Sequence, residues 1–174
     1  MISRRGLLAG LGGIVAGTLV GTAGVAEAAS FPKWNRSTVQ VWDRLGAGWP
    51  VQTAAEAWDD SSKLDVVRVT KPAAGASVIT VEFGVLPARV LGQTFVARDG
   101  LGRYKSARVV INSTIDARRF DTTRRLALVR HEVGHALGFN HSRTGTDVMQ
   151  EQILVGGPCG LSDFHRETLR KVYG

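Results

Sequence analysis

Three of the four histidines in this chain fall within eleven residues, at His131, His135 and His141. On a helix, His131 and His135 are four apart and share one face, one turn from each other. Two imidazoles so placed can take two corners of a zinc tetrahedron. Glu132 follows the first of them. It is too close in sequence to be an ideal third ligand, but it is well placed to touch water held at the metal. Zinc lowers the pKa of such a water to about 7, and a carboxylate can then take its proton as it attacks a carbonyl. Gly138 offers the route to a third ligand, because a glycine there can turn left-handed, end the helix and bring His141 back under the metal. Three histidine ligands leave a fourth position open, as catalytic rather than structural zinc requires. The competing reading is a helix end whose histidines are favoured by the dipole. The full spacing HExxHxxGxxH argues against it, because it specifies five identities.

The elements around this stretch must position it. Thr38 to Asp43 alternates and reads as a strand, as do Leu64 to Val69 and Ser77 to Phe83. Trp49 to Ser61 reads as a helix, with Pro50 in its first turn and Val51, Ala54, Ala55 and Trp58 as its apolar stripe. Thr94 to Ala97 is a short strand candidate, Asp99 to Lys105 a turn-rich loop, and Arg108 to Ile111 a further strand. The histidine helix starts near Asp121 or Thr122, both good N-caps, and turns Leu126, Val129, Val133, Ala136 and Leu137 to the core. Leu161-Ser162-Asp163 opens a last helix with Leu169, Val172 and Tyr173 on its apolar face, and His165 is expected at the surface. Strands come mainly first and helices last, which predicts one α+β domain.

The chain has 174 residues, with 44% hydrophobic and 21% charged residues and a net charge of +7. That suits one globular domain. A basic balance favours anionic partners, but no aromatic-interleaved basic stripe points to nucleic acid. Arg118, Arg119, Arg124, Arg125 and Arg130 read as a solvated face, with attraction to an anionic cell-wall polymer as the minority reading. Residues 1–28 read as an export signal. Met1 to Arg5 is positive, Gly6 to Val25 is apolar, and Ala26-Glu27-Ala28 is a small-x-small cleavage site. Arg4-Arg5 before Gly6-Leu7-Leu8 resembles a twin-arginine signal. A secreted or extracytoplasmic protein without a membrane span in its mature form is therefore expected, as a monomer. Residues 29–36 form a short lead, and 37–174 the domain. With a single cysteine, Cys159, no internal disulfide can form, so the core must carry the stability.

His131-Glu132-Val133-Gly134-His135-Ala136-Leu137-Gly138-Phe139-Asn140-His141 resembles the signature of the metzincin zinc proteases. Ser142 after the third histidine points to the matrixin branch, the matrix metalloproteinase type, in a bacterial form. Met149 in Thr146-Asp147-Val148-Met149 resembles the methionine of the turn that underlies the zinc in that clan. The closing helix is similar to that of bacterial matrixin-like domains. The resemblance implies a single catalytic domain with a twisted mixed sheet of about five strands, a zinc helix, the methionine turn and a C-terminal helix. It implies one catalytic zinc on His131, His135 and His141, and peptide-bond hydrolysis with Glu132 as general base. It also implies a protein or peptide substrate extended along an edge strand near Thr94 to Ala97.

The chain departs from the family in three ways. Gln150-Glu151 stands where matrixins often have Tyr-Pro. Only His165 remains for a second, structural zinc, and no acid-rich loop argues for calcium. The usual inhibitory prodomain has no counterpart. Gly157-Pro158-Cys159-Gly160 partly resembles the prodomain latch whose thiolate caps zinc, although a packing role for Cys159 is the commoner use of a free thiol. Two other functions remain open at this point: a zinc-stabilised binding module without catalysis, and an amidase acting on cell-wall peptides.

Overall fold

β1 (Thr38–Asp43) and β2 (Asp65–Val69) lie side by side in parallel. A parallel pair cannot be joined by a tight turn, so the chain between them must cross a face of the sheet. α1 (Val51–Trp58) makes that crossing and buries Val51, Ala54, Ala55 and Trp58. The computed structural model describes residues 31–59, 63–114, 120–142, 147–151 and 160–173. The segment read as an export signal, Arg118, Arg119, Thr146 and Cys159 lie outside the described residues.

β3 (Ser77–Gly84) pairs in parallel with the other side of β1, and β5 (Tyr104–Asn112) in parallel with β3. β4 (Gly92–Arg98) is antiparallel to β5 and closes the sheet at one edge, giving the order β2-β1-β3-β5-β4. α2 (Thr122–Ala136) packs against α1, β4 and β5, and α3 (Asp163–Tyr173) follows it. The expected α+β class with a five-stranded mixed sheet is what forms. Among the described residues no helix is long and apolar enough to cross a membrane.

Several boundaries differ from expectation, and at α1 and the β4–β5 turn the reason is local. α1 stops at Trp58, because Asp59 leaves the helix and its Oδ1 accepts the Val66 N–H at 2.7 Å, pinning the chain to β2. β4 runs to Arg98 and β5 begins at Tyr104, so the loop read over Asp99 to Lys105 shortens to residues 99–103. Asp99 makes this possible: its N–H donates to Arg103 O at 2.8 Å, and its Oδ1 accepts from the N–H groups of Leu101 and Arg103. With Gly102 at φ 75°, the turn is tight and strand pairing resumes at Arg98 and Tyr104.

The short lead is packed rather than loose. Trp34 is buried, its indole N–H donates to Ala136 O at 3.1 Å, and its backbone N–H donates to the Tyr173 hydroxyl at 2.9 Å. It thereby ties the start of the described chain to the end of α2 and to α3. The core runs from Trp34 through Val39, Val41 and Ile79 of the sheet to Trp58, Leu128, Leu137 and Leu169 of the helices.

Candidate metal centre

α2 begins where Asp121 caps it, its Oδ1 accepting the Arg124 N–H at 2.8 Å. Leu126, expected in the core, is only half-buried, while Ala127 and Leu128 are buried. From Ala127 onward nearly every side chain of the helix is enclosed, because sheet, α1 and the turn around Met149 surround it. The histidine face is thus an interior face, and His131, Glu132 and His135 are all buried. The three helix arginines, Arg124, Arg125 and Arg130, are half-buried rather than a fully solvated face. Arg125 donates to Gly48 O at 2.9 Å with its guanidinium over the Trp49 ring, and Arg124 lies over Phe120.

Gly138 ends the helix as expected, at φ 105°. Its N–H donates to His135 O at 3.0 Å and the Phe139 N–H donates to Gly134 O at 3.0 Å. This pair of bonds is the Schellman arrangement, which satisfies carbonyls that the helix end would otherwise leave bare. The same turn presents Phe139 O to the His135 Nδ1–H at 2.7 Å. It also returns the chain so that His141 Nε2 lies 3.2 Å from His135 Nε2.

The turn at Met149 supplies the matching partner for His131. Asp147 Oδ1 accepts the Met149 N–H at 2.9 Å, and the Ser142 N–H donates to Met149 O at 2.8 Å. These bonds hold Val148 O 2.8 Å from His131 Nδ1. Met149 is buried beneath the helix at Gly134, where a Cβ would overlap its sulfur. Asp147, which organises this turn, carries no signal in the sequence that marks it out from other loop acids.

A carbonyl oxygen only accepts, so His131 and His135 each carry their proton on Nδ1, and their Nε2 lone pairs point inward. Those two Nε2 atoms are 3.0 Å apart. Two facing lone pairs at that distance repel unless a cation lies between them. Burial, and then the neighbouring imidazoles, push the His131 pKa down to about 3. Burial brings His135 down to about 4, against the pull of its bond to Phe139 O. Partial burial lowers His141 as well, opposed by Glu151. The three rings are neutral donors, the form in which imidazole binds metal. Their nitrogens lie within 4.8 Å of one another, so His131, His135 and His141 can together hold a metal ion.

Glu132 sits beside them, 1% exposed. Its Oε2 accepts from the Thr94 hydroxyl at 2.7 Å, while Oε1 is buried without a hydrogen-bond partner among the described residues. Burial pushes the carboxyl up to about 7, and the Thr94 bond opposes that rise. Gly92 lies over the carboxylate, close enough that a Cβ there would stand 2.6 Å from Oε1. Both β4 residues escape a reading of the sequence. Only the register of β4 on β5 brings them to Glu132, and Gly-x-Thr is unremarkable in a strand.

His165 corrects the expectation of a surface residue, being 1% exposed. Its ring packs edge-on against Phe139 at 4.8 Å and Trp58 at 5.6 Å between centroids. Its Nδ1 accepts from the Ser162 N–H at 3.2 Å. Burial lowers its pKa, with Asp147 opposing. No protein-family model matches the chain, and no curated protein matches it either.

Proposed function

We propose that the chain is an exported zinc endopeptidase of the metzincin type, in its matrixin-like branch. The observation that carries the reading is Glu132. A buried carboxylate with one oxygen free, beside three converging imidazole nitrogens, is an arrangement that binding alone does not need. Zinc suits the donor set, because tetrahedral Zn–N bonds of about 2.0–2.1 Å separate ligand nitrogens by about 3.3 Å. The Nε2 separations of 3.0 and 3.2 Å are close to that. Met149, buried against α2 at Gly134, supports the reading of its turn as the methionine turn.

Zinc held by His131, His135 and His141 would supply the Lewis acidity that makes water a nucleophile near neutral pH. Glu132 Oε1 takes the proton from the attacking water and afterwards delivers it to the leaving amine nitrogen. Val148 O and Phe139 O hold His131 and His135 in the tautomer that faces inward, the role that carbonyls beyond a ligand shell usually play. β4 is an edge strand of the sheet among the described residues, lies beside Glu132, and suits a peptide added as an extra strand. Export rests on the twin-arginine-like start of the sequence.

Casein or a quenched fluorogenic peptide tests the reading. Cleavage should stop with a chelator and return with added zinc. Cleavage that ignores the chelator, or none with the zinc site full, overturns it.

A further inference from the structure

We infer that Thr94 and Gly92 are positioning residues for Glu132, selecting which carboxylate oxygen is left free to take a proton. The inference rests on Glu132 being the base of the proposed peptidase.

Residues 92 and 94 are two apart on β4, so they point to one face of the sheet, toward α2. Their register partners on β5 are Ile111 and Val109. Thr94 Oγ1 lies 2.7 Å from Glu132 Oε2 and 3.0 Å from the Glu132 carbonyl oxygen. A hydroxyl has one proton, and the charged, closer acceptor takes the larger share of it. Oε2 is therefore occupied and tied to the strand, and Thr94 is itself buried.

Oε1 is different. It is buried with no hydrogen-bond partner among the described residues, which an ordinary interior avoids because the lone pairs lose their water. The space it occupies exists because residue 92 has no side chain: a Cβ would approach Oε1 to 2.6 Å and both Cδ and Cγ to 2.8 Å. One residue thus fixes an oxygen, and the other clears room for its twin. Strand β4 holds the two at a set spacing, so both constraints act on one carboxylate orientation. That division leaves Oε1 as the proton acceptor and Oε2 as the anchor.

The test compares zinc-loaded wild type with Thr94→Val, Thr94→Ser, Gly92→Ala and Glu132→Ala, reading zinc content, kcat and KM on a quenched peptide. Thr94→Val should keep its zinc and its KM within about twofold while kcat falls about tenfold to a hundredfold, the scale of a slightly misplaced catalytic group. Thr94→Ser should recover kcat to within about threefold, and Gly92→Ala should fall like the valine variant. If the valine variant folds poorly, Thr94→Ala takes its place in the comparison. A second readout needs no turnover. In metal-free protein, the denaturant midpoints of Thr94→Val, Glu132→Ala and the double variant should be non-additive, because one bond is lost in all three. Additive midpoints, or valine and serine variants of equal kcat, overturn the inference. A Glu132→Ala variant with undiminished kcat instead overturns the reading of Glu132 as base.

Discussion

Met149 packs against α2 at Gly134, where a Cβ would overlap its sulfur and stand 2.6 Å from Trp58 Cζ2. Alanine in place of a mid-helix glycine ordinarily stabilises by about 0.5–1 kcal/mol. Here the sign should reverse. Gly134→Ala should destabilise by about 1–3 kcal/mol, the usual cost of overpacking a filled core. Denaturant unfolding of the metal-free variant measures it, and a stabilised variant would mean that Met149 is free to move away.

Gly138 combines a φ of 105° with Pro32 Cγ only 2.7 Å from where its Cβ would be. Gly138→Ala should lower stability by at least about 1–2 kcal/mol from the backbone alone. Because the same turn carries Phe139 O and leads to His141, zinc affinity should also fall. Competition against a chromophoric chelator reads the affinity, and unchanged values would separate the turn from the ligand set.

Tyr173 gives the fold an alkaline limit. Burial pushes its hydroxyl up to about 12, against the bond from the Trp34 N–H, with Tyr104 adding to the rise. A pKa raised in the folded state means stability is fully present below the unfolded value near 10. That stability is lost as pH climbs from there toward 12, by up to about 2–3 kcal/mol. Tyr173→Phe should be less stable at pH 8, having lost the acceptor for Trp34, yet flatter between pH 9 and about 11. Equal slopes for variant and wild type would assign the alkaline loss elsewhere.

The histidine cluster is legible in the sequence because its geometry is local. His131 and His135 follow from helical spacing, and His141 from a glycine three residues later. The alternation of Thr38–Asp43 and Ser77–Gly84 likewise marks strands without help from neighbours. What escaped depends on residues far apart in the chain. Thr94 and Gly92 reach Glu132 only through the β4–β5 register. His165 looks like a surface residue on a polar helix until Trp58 and Phe139 close over it. Trp34 gains its role from Ala136 and Tyr173, more than a hundred residues away. The residues to which we assign chemistry fall within eleven positions, whereas those that hold them in place are brought together by the fold.

Substitution of Glu132 tests the peptidase reading most directly. Zinc-loaded Glu132→Ala should match the wild type in metal content and far-ultraviolet circular dichroism, while peptide turnover falls by at least about a hundredfold. A variant with full zinc, an intact fold and wild-type turnover would contradict the assignment of Glu132 as the base.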